Sequence, residues 1–106
     1  MEITFKTKKL RKQLTQPKEL HKSFGQMARR ISQRIDEFKA AESLFIFNKL
    51  PGTRCDEYWG DRKGELSVNI TGNYRIIFTP DQEPIPKKKD GGLDWKKVTR
   101  IKILYI

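Results

Sequence analysis

An α+β fold is predicted by three features of this 106-residue chain. A helical hydrophobic period occupies the first half, two-residue alternation dominates the second, and turn residues separate the alternating segments. Together they predict an N-terminal strand and two to three helices packed on one face of a curved antiparallel sheet. A chain of this length supports one domain over residues 1–106.

Ile3-Thr4-Phe5 alternates apolar and polar residues and predicts a short opening strand. Lys8 to Leu14 suits a helical turn or two. Pro17 stands where a second helix begins, with Thr15 as its predicted cap. Leu20, Phe24, Met27, Ile31, Ile35 and Phe38 then recur every three or four positions, one apolar stripe on an amphipathic helix. Lys18, Lys22, Arg29, Arg30 and Arg34 fall mostly off that stripe. Gly25 costs about 1 kcal/mol relative to Ala but is expected to leave the period unbroken.

Ala40 to Asn48 predicts a further short helix, closed by Leu50-Pro51-Gly52. Strands are then predicted over Arg54 to Trp59, Glu65 to Ile70, Tyr74 to Thr79 and Val98 to Ile106. Asp61-Arg62-Lys63-Gly64 predicts a tight turn, and Thr71-Gly72-Asn73 a hairpin connection. The segment from Pro80 to Asp94, which contains Pro84, Pro86, three consecutive lysines and Gly91-Gly92, predicts an irregular, mobile loop.

Composition narrows the chemistry. Lys and Arg number 23 against 13 Asp and Glu, a formal charge of +10, and the excess is concentrated in residues 1–50. Such a field draws nucleic acid, an anionic surface or an acidic partner, without choosing among them. No apolar run approaches the roughly 20 residues of a membrane-spanning helix. The N-terminus lacks the apolar core of a secretory signal, so a cytoplasmic location and no membrane partner are expected. The lone Cys55 cannot form an internal disulfide or a thiolate metal site, and neither a metal nor a cofactor is expected.

Enzyme motifs of the common kinds are absent. His21 has no nucleophile in a recognisable triad, and Gly91-Gly92 follows no strand-to-helix pattern. The carboxylates Asp56, Glu57 and Asp61 suit acid–base or metal chemistry, or pairing with Arg54 and Arg62. A basic and aromatic surface remains, formed by Arg62, Lys63, Arg75, Tyr58 and Trp59. Arg grips phosphate bidentately, and a ring stacks on an unpaired base for about 1–3 kcal/mol. Cutting RNA without metal requires a base for the 2′-hydroxyl, cations for the phosphorane and an acid for the leaving oxygen. The cations are evident here; the base is not.

Four motifs occur in order at short spacing: Leu50-Pro51-Gly52-Thr53-Arg54, Gly60-Asp61-Arg62-Lys63-Gly64, Ser67-Val68 and Gly72-Asn73-Tyr74-Arg75-Ile76-Ile77-Phe78. The ordered set resembles the HigB group of the RelE/ParE superfamily, the toxin half of type II bacterial toxin–antitoxin pairs. The resemblance implies a RelE/ParE-like fold that enters the ribosomal A site and inhibits translation by ribosome-dependent mRNA cleavage. It also implies a helix-turn-helix, HigA-like antitoxin as partner, beside the ribosome and mRNA. Arg75 matches the family's phosphate-contacting arginine, and Arg62 and Lys63 match its basic turn. Arg54 and Trp59 complete the expected RNA-binding set, and Asp56 and Tyr105 join Arg75 as candidate catalytic groups.

The departures from the family pattern concern proton transfer. Asp56 stands where the family carries a catalytic His, and Trp59 where it carries a phosphate-binding Lys. Trp59 is then either a base-stacking ring or a packed core ring. The family's last strand ends in Asp-Tyr-His, whereas this one reads Ile103-Leu104-Tyr105-Ile106. The preferred alignment stops the chain just before that tripeptide; the alternative gives Tyr105 the tyrosine position. General acid–base catalysis is worth about 10²–10⁴-fold, so these changes leave two further readings open. One is a catalytically impaired module that binds antitoxin or RNA, and the other a ParE-like inhibitor of DNA gyrase.

Overall fold

The computed structural model describes residues 1–106 and has an α+β architecture, with helices packed on an open five-stranded sheet. Strand β1 (Glu2–Phe5) is followed by helices α1 (Lys8–Thr15), α2 (Pro17–Phe24), α3 (Ala28–Ala40) and α4 (Leu44–Asn48). Strands β2 (Asp56–Glu57), β3 (Leu66–Thr71), β4 (Tyr74–Pro80) and β5 (Arg100–Tyr105) complete the sheet. Its strand order is β1-β5-β4-β3-β2.

The sheet is mixed rather than wholly antiparallel. β1 runs parallel to β5, with Glu2 opposite Arg100 and Phe5 opposite Ile103, while every other neighbouring pair is antiparallel. The four helices lie between β1 and the rest of the sheet in sequence. They return the chain so that its last strand seats between β1 and β4.

The predicted long helix is broken at Gly25. This residue has φ +53 and ψ −120, a region closed to side-chain-bearing residues, and Gly25–Met27 forms a single 3₁₀ turn between α2 and α3. The apolar stripe survives the break, since Leu20, Ile31, Ile35 and Phe38 are all buried. Thr15 is not the cap of α2. It belongs to α1, where its hydroxyl donates to the Arg11 carbonyl, and Gln16 precedes Pro17 without a side-chain cap. Thr7 caps α1 by accepting from the Leu10 amide at 3.0 Å.

On the helix side of the sheet, Leu66, Val68 and Ile70 of β3, Ile76 and Phe78 of β4, and Ile101 and Ile103 of β5 meet the helical stripe. Phe38 stacks on Phe47 at 4.1 Å and meets Phe78 edge-on at 5.1 Å, joining α3, α4 and the central strand.

Arg34 lies in this layer rather than off it, at 1% exposure. Its Nε donates to the Asn69 carbonyl at 2.8 Å, Nη2 to the Gly52 carbonyl at 2.9 Å, and Nη1 to Glu37 at 2.7 Å. A buried guanidinium is stable only with its donors used, and here it ties α3 to β3 and to the turn before β2. Gly52 meets this clamp closely: a Cβ there would lie 3.2 Å from Arg34 Nη2, and its φ is +77.

The predicted strand over Arg54 to Trp59 shrinks to Asp56–Glu57, because Tyr58 and Trp59 lead directly into the 3₁₀ turn Gly60–Arg62. The Pro80 to Asp94 segment is irregular but internally tied. Lys87 bridges Leu93, and the Lys88 amide donates to the Gly92 carbonyl at 2.7 Å.

Candidate nucleic-acid interface

Alternation along β2 sends its two carboxylates to opposite faces of the sheet. Asp56 pairs with Ser67 and so shares the helix-free face of the sheet; Glu57 pairs with Leu66 and turns to the other side. Arg75 on β4 is on the same helix-free face as Asp56, as is Ile77, whose cross-strand partner is Tyr105. Ile77 is 5% exposed yet stands outside the helix-side core, so the helix-free face carries its own small packed layer.

Arg75 is the most constrained member of that layer. Its Nε donates to Ser67 Oγ at 2.7 Å, and its Nη2 donates to the Arg54 carbonyl and to Asp56 Oδ2, the latter at 3.3 Å. Nη1 makes no hydrogen bond, so two donors stay open on a guanidinium whose side chain is 26% exposed. Arg54 adopts φ +45, an uncommon conformation for a residue with a side chain, and its carbonyl helps hold Arg75. The guanidinium is therefore held from one side and available from the other.

Arg62 anchors a second cluster. Its guanidinium lies 4.0 Å over the Tyr58 ring and 5.7 Å from the Tyr105 ring. Nε donates to Glu65 at 3.3 Å and Nη2 donates to the Tyr105 hydroxyl, which in turn donates to Glu65 at 3.4 Å. Tyr105 thus sits between a cation and a carboxylate, an arrangement that can pass a proton. Asp56 pairs with Arg75, not with Arg54 or Arg62 as its sequence neighbours suggested, and Glu57 accepts from Trp95 Nε1 at 2.7 Å.

Trp59 and Lys63 are not in this constellation. With Glu57, Ile85 and Leu93 they line a separate cleft of about 140 Å³ between the β2 edge and the Pro80–Asp94 segment. Trp59 is 76% exposed, which rules out the packed-core reading and leaves its ring free for stacking.

Cys55 borders the Arg75 site. Burial, reinforced by the nearby Asp56 charge and opposed by Arg75, pushes its thiol from 9.0 up to about 12. It stays protonated at neutral pH and is no nucleophile. His21 is exposed on α2 and makes no side-chain hydrogen bond or salt bridge to the site residues. No three His, Cys, Asp or Glu side chains converge as a metal-holding group. No helix is long and apolar enough to cross a membrane.

Ser67 and Glu65 are functional neighbours that motif reading missed as contacts. Ser67 is 1% exposed and supports Arg75, and strand alternation opposite Asp56 signalled its place. Glu65 follows Arg62 at a three-residue interval, a spacing that signalled the pair across the turn. Neither a protein-family model nor a curated protein sequence matches this chain. The chemistry of the site therefore carries the functional reading.

Proposed function

We propose that the chain is a HigB-like toxin of the RelE/ParE superfamily that binds mRNA on the ribosome and cleaves it. The observation that carries this reading is Arg75, held by Ser67, Arg54 and Asp56 with its Nη1 donors open on the helix-free sheet face. Such an arginine suits a phosphodiester oxygen, because its positioning cost is met within the fold. In this reading Arg75 and Arg62 stabilise charge on the phosphorane. Asp56 takes the proton from the 2′-hydroxyl, whose oxygen attacks phosphorus, and Tyr105 returns a proton to the departing 5′-oxygen. The products are a 2′,3′-cyclic phosphate and a 5′-hydroxyl end, and the HigA-like antitoxin would cover this face.

The ion pair between Asp56 and Arg75 supports a second reading, a binder that seats on ribosome-bound mRNA without cutting it. Mapping mRNA 5′ ends in a reconstituted bacterial translation reaction separates the two. Cuts that require ribosomes and vanish with Arg75→Ala are expected. Ribosome binding without cuts would favour the binder, and neither binding nor cuts would overturn the proposal.

A further inference from the structure

On the edge of the domain beyond Arg54, two adjoining hollows of about 330 and 350 Å³ share Arg30 of α3 and Thr71 at the β3–β4 hairpin. Arg29 and Gln33 line the first, and Arg54 and Gly72 the second. We propose that this arginine groove is a second RNA site, which takes the sugar–phosphate backbone of a single strand whose scissile phosphate lies at Arg75. The inference rests on the RNA reading above and extends it by fixing where the rest of the strand runs.

Three observations carry it. No acidic residue lines either hollow, and Arg29, Arg30 and Arg54 form no salt bridge although the chain contains seven such contacts elsewhere. These exposed guanidiniums border the same pair of hollows; the carboxylates of α3, Asp36 and Glu37, lie on the far side of Arg29 and line a different hollow, so the local field favours an anionic occupant. Arg34 lies beneath the groove with each of its three guanidinium nitrogens bonded, to Asn69, Gly52 and Glu37.

The second observation is continuity. The carbonyl of Arg54 holds Arg75 and the same residue borders the groove, so one residue joins the two sites. The third is chemical character. Apart from the buried Ile70, the lining is Arg, Gln, Asn, Thr and Gly, which offers donors to phosphate oxygens and ribose hydroxyls. A bound peptide helix would need apolar anchors, and the groove supplies none.

The test is salt-dependent binding of oligouridylates of about 4 and about 16 nucleotides, lengths that bracket common single-strand site sizes. The intact chain is compared with Arg29→Gln/Arg30→Gln, both exposed positions, and with Arg75→Ala. The double variant is expected to weaken only the longer RNA and to lower its log–log salt slope by about 1.4, two single-strand phosphates at roughly 0.7 each. Arg75→Ala is expected to weaken both lengths. An unchanged slope in the double variant, with Arg75→Ala still damaging, overturns the groove and leaves the RNA reading standing. No binding of either RNA by the intact chain overturns the groove as a free-strand site, while the ribosome-dependent reading is decided by the mapped 5′ ends. Polyglutamate bound as tightly as the longer RNA, with the same loss in the double variant, overturns the assignment to RNA.

Discussion

Arg75 and Asp56 meet across strand β3: the guanidinium of β4 rests on Ser67 Oγ at 2.7 Å and reaches the carboxylate of β2 at 3.3 Å. Ser67 is also the direct cross-strand partner of Asp56. Three strands therefore set the position of one cation, and the carboxylate beside it is 72% exposed.

Asp56→Asn is expected to change stability by no more than about 1 kcal/mol, because a pair this exposed contributes little. RNA affinity should rise as a negative charge leaves the neighbourhood of Arg75. Scission should fall by about 10²–10⁴-fold if Asp56 is the base. RNA titration alongside mapped 5′ ends checks both. A parallel loss of binding and cutting would instead make Asp56 a positioning residue for Arg75.

Arg34→Met is expected to destabilise the fold by about 3–5 kcal/mol, since it strands the Gly52 and Asn69 carbonyls and uncouples Glu37. Arg29→Ala, on the exposed face of the same helix, should stay within about 0.5 kcal/mol. Urea unfolding with unchanged m-values measures the contrast.

Gly25→Ala is expected to cost about 1–3 kcal/mol, read as a lowered thermal midpoint. A Cβ at Gly25 would meet nothing within 4 Å, so the penalty comes from backbone conformation alone. An unaffected midpoint would show that α2 and α3 can join without the 3₁₀ turn.

Acid should loosen the seam between β1, β4 and β5. Asp81 accepts from the Thr4 hydroxyl at 2.6 Å and pairs with Arg100 and Lys102, which holds its carboxyl below the ordinary 3.8. A depressed folded-state pKa means the stabilisation is complete above pH 3.8 and is lost as pH falls through the folded value. Asp81→Asn should therefore be less stable than the parent at neutral pH and converge with it in acid. Unfolding curves across that pH range provide the check.

Helix periodicity and strand alternation made most of the layers legible, and the buried stripe from Leu20 to Phe38 follows the predicted spacing. The break at Gly25 was hidden because spacing records which face is apolar, whereas a backbone reversal between two helices leaves that face intact. Arg34 could have been read from its position three residues after Ile31 and four before Phe38, which puts it on the stripe; its charge argued otherwise until its three partners were visible. The parallel pairing of β1 with β5 is a contact between chain ends, and no local pattern encodes it. At the site, Arg75 and Arg62 were legible as cations. The separation of Trp59 and Lys63 from them arises at the 3₁₀ turn Gly60–Arg62, which they flank and which motif spacing does not reveal.

The parallel seam also bears on synthesis. Glu2 and Arg100, which pair through their side chains at 3.2 Å, are 98 residues apart. At about 5–20 residues per second, β1 is made roughly 5–20 s before its only strand partner exists. β4 likewise keeps an open edge until β5 arrives. Tyr105 lies on β5 and closes the Arg62 cluster, so that cluster, like the parallel seam, cannot form until β5 has been made.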